Sequence, residues 1–284
     1  MKQSELFVEV LNILEEGAIE DAHEEARILF EDLLGIERSR IGILDDEVPQ
    51  DAARRVIDAA NERLSGRPIQ YITGRTYFMG FSFVCREGTL IPRQDTEHLC
   101  EQALTAVEQM KNPSVLDLCA GSGCVGLSIA KMIEHARVTL FEKYDGPLSL
   151  MKENADRLGL SDKVHIVKGD VFDMDTGELD GPFDVVVSNP PYVKTGDIDG
   201  LMDEVRNYEP RAALDGGADG YDFFRQIVKI SKYLLAPGGR LLFEVGAGQS
   251  DKVVRLLEKG GFGEISSFKD YGGWARVVSG RLDT

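Results

Sequence analysis

Two short stretches carry residue types that could do chemistry. The first, Val187-Ser188-Asn189-Pro190-Pro191-Tyr192-Val193, sets an asparagine before two prolines. Consecutive prolines fix the backbone, remove two N–H donors and push the preceding residue into an extended conformation. The Asn189 side-chain oxygen and the Pro190 carbonyl then form a rigid pair of acceptors, suited to a planar NH2 group whose two hydrogens must both be held. Alkylating such a nitrogen is difficult because its lone pair is delocalised. Holding both N–H bonds draws charge toward nitrogen and aims its face at an electrophilic carbon, so the resource is orientation and preorganised dipoles. The proton can leave afterwards. Asn189, Pro190 and Tyr192 are the candidate catalytic residues, Tyr192 as a wall against the flat group, and with Pro191 they form the candidate substrate pocket. A plain Pro-Pro turn capped by Asn189 is the competing reading.

The second stretch is Gly121-Ser122-Gly123-Cys124-Val125-Gly126, a GxGxxG pattern between an expected strand and helix. Missing side chains allow a sharp turn and close ligand approach, and Glu142, at the end of the next strand, can accept from both hydroxyls of a ribose. Gly121, Ser122, Gly123 and Glu142 are therefore candidate nucleoside contacts. Asp117 lies inside the strand, where nicotinamide-binding turns usually stay apolar. It could bind a cationic amine, directly or through the loop it orders, or merely hydrogen-bond the loop amides, and the two roles are compatible. S-adenosylmethionine carries such an ammonium, and no pyrophosphate, which makes it the expected cofactor and S-adenosylhomocysteine the expected product. Asp170, ending the third strand, is either a partner for the adenine amino group or a turn cap.

The elements that position these motifs follow from periodicity. Apolar residues recur at helical spacing from Ser4 to about Gly66, including Leu6, Val10, Leu14 and Ala26, Leu29, Phe30, and a third amphipathic helix spans 51–64. An aromatic and β-branched segment over 71–84 with internal glycines predicts a hairpin. From Val115 the chain alternates strands (115–118, 138–141, 164–167, 183–187, 240–245) with helices (125–133, 148–158, 221–235, 249–259). That alternation predicts an α/β, Rossmann-like, mostly parallel sheet. Two late strands near 265–268 and 275–278, with no helix between them, predict an antiparallel edge. The expected organisation is an N-terminal helical substrate-binding domain over 1–70, a β-hairpin linker over 71–90 and a catalytic domain over 91–284.

Composition excludes several functions. The 284 residues, 43% hydrophobic and 29% charged, suit a globular chain and not a disordered one. A net charge of −17 with no basic stripe argues against phosphate-backbone binding. Cys85, Cys100, Cys119 and Cys124 lack the paired spacing of a zinc site, and four cysteines are too few for a disulfide scaffold. No apolar run reaches membrane-spanning length, and the first residues have no signal-peptide character, so a cytoplasmic protein is expected, free of membrane, metal and direct nucleic-acid contact. His23, His98, His135 and His165 share no metal-site or triad spacing.

The motifs resemble a known family. Asn189-Pro190-Pro191-Tyr192 with the 117–126 loop resembles the class I S-adenosylmethionine-dependent methyltransferases that modify planar nitrogens. Gly66-Arg67-Pro68-Ile69-Gln70-Tyr71-Ile72-Thr73-Gly74, Leu90-Ile91-Pro92-Arg93-Gln94-Asp95-Thr96-Glu97, and Glu209-Pro210-Arg211-Ala212-Ala213-Leu214-Asp215-Gly216-Gly217-Ala218-Asp219-Gly220 are similar to segments of the HemK/PrmC-type peptide chain release factor glutamine methyltransferases. The resemblance implies an enzyme whose helical domain grips a release factor while it methylates the glutamine amide nitrogen of the Gly-Gly-Gln loop; a monomer is the expected state. It implies cofactor contacts from Cys119, Ala120, Gly121, Ser122, Gly123, Glu142 and Asn189, with Val171 following Asp170 at the adenine. It also suggests Arg93, Asp95 and Glu97 as active-site support. Cys119 and Ala120 stand where the family commonly has Gly and Thr, Gln94 replaces a usual proline, and Val171 replaces an aromatic found in some relatives, so adenine stacking is either weaker or passed to Phe172. Competing functions are glutamine methylation on a ribosomal protein, adenine-N6 methylation of DNA or RNA, and a non-catalytic partner that kept the fold.

Overall fold

The computed structural model describes residues 1–43, 45–174, 179–270 and 272–283, and its chain forms two compact units. The first comprises Met1–Arg75 with Met202–Tyr208. Helices α1 (Gln3–Glu16), α2 (Ala22–Leu34) and α3 (Gln50–Arg63) each turn one apolar stripe inward. Leu6, Val10, Leu14, Leu29, Phe30, Val56 and Ala60 make their shared core. Arg63 is buried and ion-paired with Glu25 and Glu204, which ties the 202–208 segment to the bundle. Residues 71–73, expected within the strand-rich segment, instead belong to the short helix α4 (Ile69–Thr73). Pro68 supplies a helix-compatible φ of −55° ahead of it, and Gly74 stops it in the left-handed region at φ 72°.

The second unit comprises Thr76–Leu201 and Glu209–Thr284. Strands β1 (Arg75–Phe78) and β2 (Phe81–Val84) form the hairpin, with Phe78 and Phe83 fully buried and packed edge to face. After α5 (Gln94–Val107), the main sheet begins with β3 (Ser114–Leu118), α6 (Cys124–Met132), β4 (Arg137–Glu142), α7 (Asp145–Arg157), β5 (Val164–Lys168) and β6 (Phe183–Ser188). Two short helices, α8 (Asp203–Tyr208) in the first unit and α9 (Arg211–Leu214), precede α10 (Asp222–Leu234), β7 (Leu235–Glu244), α11 (Ser250–Gly260), β8 (Phe262–Lys269) and β9 (Ala275–Leu282).

Spatial order is β5-β4-β3-β6-β7-β9-β8. The first five strands are parallel, while β9 pairs antiparallel with both β7 and β8, giving a Rossmann-like α/β sheet with an antiparallel edge. Alternation along the strands feeds two cores, since Val185 and Val187 of β6 join one cluster and Val186 between them joins the other.

This topology positions the chemistry. Chain progression runs from β3 to β4 and β5 on one side, and from β6 to β7 on the other, so the order reverses between the neighbours β3 and β6. Open α/β sheets bind ligands outside the carboxyl ends of the strands at such a switch point. The glycine loop leaves β3 there, and the diproline segment leaves β6 beside it.

Candidate active site

A cavity of about 420 Å³ opens at this switch point, in the size range of small-molecule sites. Its walls include Asp117, Cys119, Ala120, Gly121, Ser122, Glu142, Asp170 and Val171, together with Asn189 and Pro191. Thr96, Arg93 and Phe172 also face it, whereas Gly123, Pro190 and Tyr192 support it from outside the lining.

The glycine loop is held by carboxylates. Asp117 is 2% exposed and its Oδ2 accepts the Gly126 N–H at 2.9 Å. Burial pushes its pKa up to about 7, with the Glu142 charge adding to the rise and the Gly126 bond opposing it. A Cβ at Gly126 would lie 3.1 Å from Asp117 Oδ2 and 2.9 Å from Leu140, so only glycine lets α6 approach the sheet this closely. Gly123 takes φ 80°, the left-handed region that glycine adopts freely, as the chain enters α6. Cys119 takes φ 61° with a side chain present, a costly geometry for any non-glycine residue.

Glu142 accepts three backbone N–H groups: Gly121 at 2.9 Å on Oε2, and Lys143 at 2.8 Å and Tyr144 at 3.0 Å on Oε1. A carboxylate offers roughly four acceptor positions, so about one is left for a ligand hydroxyl. Asp170 is also engaged, its Oδ1 capping the Phe172 N–H at 3.0 Å and its Oδ2 paired with Lys143 at 2.7 Å. Although burial acts to raise its pKa, the Lys143 and Phe172 bonds bring it below the ordinary carboxylate value. Val171 is buried, while Phe172 is half exposed and packs edge to face on Phe223 at 4.9 Å.

At the diproline corner, Pro190 and Pro191 are buried. Asn189 Nδ2 donates to Thr96 Oγ1 at 3.2 Å, and no described residue donates to the Asn189 side-chain oxygen or the Pro190 carbonyl. The end of α9 and the residues that follow it brace the corner: Val193 N–H donates to Leu214 O at 2.9 Å and Gly216 N–H to Val193 O at 2.8 Å. A Cβ on Gly216 would sit 2.8 Å from the Pro191 carbonyl, which explains a glycine there. Tyr192 turns its hydroxyl to the Glu244 carboxyl at 3.4 Å. Arg93 pairs with the buried Glu209, Asp95 pairs with Arg276 at 3.0 Å, and Glu97 accepts the hairpin-turn N–H of Met79 at 2.6 Å. The last two therefore act on the framework.

Three supporting residues were not singled out from sequence. Asn154 accepts the Val84 N–H at 2.7 Å and donates to Ser122 O at 3.1 Å, pinning the glycine loop. Gln249 donates to Tyr192 O at 2.9 Å. Glu244, ending β7, is buried with one oxygen, Oε2, completing no hydrogen bond. No sequence motif marks any of them. No cluster of His, Cys, Asp or Glu able to hold a metal occurs among the described residues, and no described helix is long and apolar enough to cross a membrane.

The sheet order and cavity define a class I methyltransferase. Its fold is shared with a methyltransferase from Pyrococcus furiosus, at TM-score 0.52 and 16% identity over 72% of this chain and 91% of that one. A T. thermophilus 16S rRNA methyltransferase, solved with AdoMet and guanosine, matches at TM-score 0.51 and 20% identity over 73% of this chain and 49% of that one. Family models described as the PrmC N-terminal domain and the methyltransferase small domain match residues 5–74 and 97–205. A release factor glutamine methyltransferase of Clostridium acetobutylicum is 38% identical over 98% of both chains. One from Geobacter sulfurreducens is 40% identical over 95% of this chain and 93% of its own. The chain belongs to the release factor glutamine methyltransferase family.

Proposed function

We propose that this methyltransferase acts on the glutamine amide nitrogen in the Gly-Gly-Gln loop of a peptide chain release factor, in the cytoplasm and as a monomer. The observation that carries this reading is the diproline corner, whose Asn189 oxygen and Pro190 carbonyl accept no hydrogen bond from the described residues. Two fixed acceptors match the two hydrogens of a carboxamide.

The residues present fit S-adenosylmethionine. The cavity volume, the left-handed glycines and the acceptor positions remaining on Glu142 and Asp170 suit a nucleoside, and Asp117 is the carboxyl that would answer a cationic amine, directly or through the loop it orders. Bound there, the cofactor supplies a methyl group on a sulfonium and leaves as S-adenosylhomocysteine. Phe172 and Val171 would hold the adenine, Glu142 would accept a ribose hydroxyl, and the 119–123 loop would hold the methionine end.

The protein's work is then positional. Asn189 and Pro190 hold both N–H bonds of the substrate amide, Pro191 keeps the corner stiff, and Tyr192 backs it. As the new N–C bond forms, charge on the amide N–H groups grows and both acceptor bonds strengthen, so stabilisation is concentrated in the transition state. One N–H proton is lost to solvent after transfer.

The test is incubation of the purified chain with isotope-labelled S-adenosylmethionine and release factor, followed by mass spectrometry of the glutamine loop. Label on that glutamine is expected. Label on DNA, RNA or a ribosomal protein instead overturns the assignment.

A further inference from the structure

Asn189 serves a substrate NH2 group only if its oxygen, and not its own NH2, faces the cavity. The two ends of a carboxamide have nearly the same shape, so packing alone does not choose between them. The choice is made by a hydrogen bond from Nδ2 to Thr96 Oγ1 at 3.2 Å. Thr96 is buried in the first turn of α5, and a hydroxyl that accepts there has its own proton to place.

A carboxyl whose charge this hydroxyl influences is Glu244, 3% exposed at the last position of β7. Its Oε1 takes the Tyr192 hydroxyl at 3.4 Å, and its Oε2 is buried without a completed hydrogen bond. A buried polar atom left unpaired is costly and calls for a reason. Burial raises the Glu244 pKa to about 7, and the Thr96 hydroxyl is the first of the groups that draw it back down. One carboxyl thus accepts the hydroxyl of Tyr192 through Oε1 and keeps Oε2 open, while the Thr96 hydroxyl behind Asn189 acts on its charge.

We propose that Thr96 and Glu244 are positioning residues that set the orientation of the Asn189 carboxamide: Glu244 receives the Thr96 proton, Thr96 receives the Asn189 N–H, and the Asn189 oxygen is left facing the substrate. The proposal rests on the amide-methylation reading above. Neither residue touches the reacting atoms. Both act through Asn189, so their effect disappears when Asn189 is removed.

The test measures kcat and KM of the full chain on release factor, with cofactor binding followed by calorimetry. Thr96→Val is expected to lower kcat roughly 10- to 100-fold, the scale of a misoriented reacting group, with cofactor affinity changed by less than about threefold. Thr96→Ser keeps the hydroxyl and is expected to stay within about threefold of wild type. In an Asn189→Ala background, Thr96→Val should cost less than about twofold more, because groups acting as one unit are non-additive. Glu244→Leu should resemble Thr96→Val, while Glu244→Gln, whose carbonyl still accepts, should lose less. Wild-type turnover by Thr96→Val, or a loss that multiplies in full with Asn189→Ala, overturns the proposal. If the wild-type chain leaves release factor unmethylated, the functional reading falls and this proposal falls with it. If wild type methylates and Thr96→Val does so equally well, only the positioning role is removed.

Discussion

The two ends of the cavity solve opposite problems. At the glycine loop the protein's own donors already occupy most of the acceptor capacity: Glu142 takes three backbone N–H groups, Asp170 takes Lys143 and Phe172, and Asp117 takes Gly126. At the diproline corner the Asn189 and Pro190 oxygens accept nothing from the described residues. Carboxylates at the first end therefore spend most of their bonding on shaping a loop, and a ligand shares what remains. Under the proposed function, the second end is left open and rigid for a group whose charge changes during reaction. Mutations at the first end should alter affinity and stability, and those at the second should alter turnover.

Asn189→Ala probes the second end most directly. It is expected to lower kcat by roughly 100-fold or more, the scale of losing one oriented hydrogen-bonding group, while cofactor affinity falls far less. Single-turnover methylation paired with calorimetric cofactor binding separates the two. A variant that turns over normally but binds cofactor poorly would reverse the division between the ends.

Asp117 gives the next largest effect, read in stability. Its unfolded value is near 3.8 and its folded value about 7, raised chiefly by burial. Between those values the native chain holds the proton more tightly than the unfolded chain, so this group's contribution to stability is complete below about pH 4. It declines as pH rises to about 7 and is flat above. Asn at this position can still accept the Gly126 N–H but does not titrate. Asp117→Asn is expected to melt several degrees above wild type at pH 8 and close to it at pH 4.5, in ligand-free protein followed by calorimetry. Parallel melting curves across that range would mean the carboxyl is already ionised in the fold.

Much of this was legible in the residues because it is local. Strands β3 to β7 announce themselves through β-branched runs, α1 to α3 through apolar stripes, and the glycine loop and diproline corner through residue types with few alternative uses. What escaped was long-range. Thr96 and Asn189 are 93 residues apart, and Gln249 reaches back 57 residues to the Tyr192 carbonyl. Glu244 reads as an ordinary acid at a strand end until the sheet buries it against α5. The short helices α4, α8 and α9 lack two full turns of periodicity, so their existence rests on Pro68, Gly74 and tertiary contacts such as Arg63 with Glu204. Asp117 could be read as an amine partner or a loop tie; the loop tie is visible in its bond to Gly126.

The smallest expected effect sharpens the account of the cofactor end. Cys119 sits at φ 61°, where a Cβ costs roughly 1–2 kcal/mol, and its side chain borders the cavity. Glycine relieves that strain but gives back about 0.5–1 kcal/mol through the greater freedom of the unfolded chain. Cys119→Gly should therefore stabilise the protein by at most about 1.5 kcal/mol, a shift of only a few degrees in Tm. Removing the thiol also widens the cavity at the loop, and cofactor affinity is expected to rise by about threefold, equivalent to under 1 kcal/mol. Turnover at saturating cofactor should stay unchanged if, as proposed, Cys119 belongs to the cofactor end and not to the end that aligns the amide. A gain in stability with a loss of cofactor affinity would show that the thiol packs on the ligand, and that the strain at this position is retained for contact.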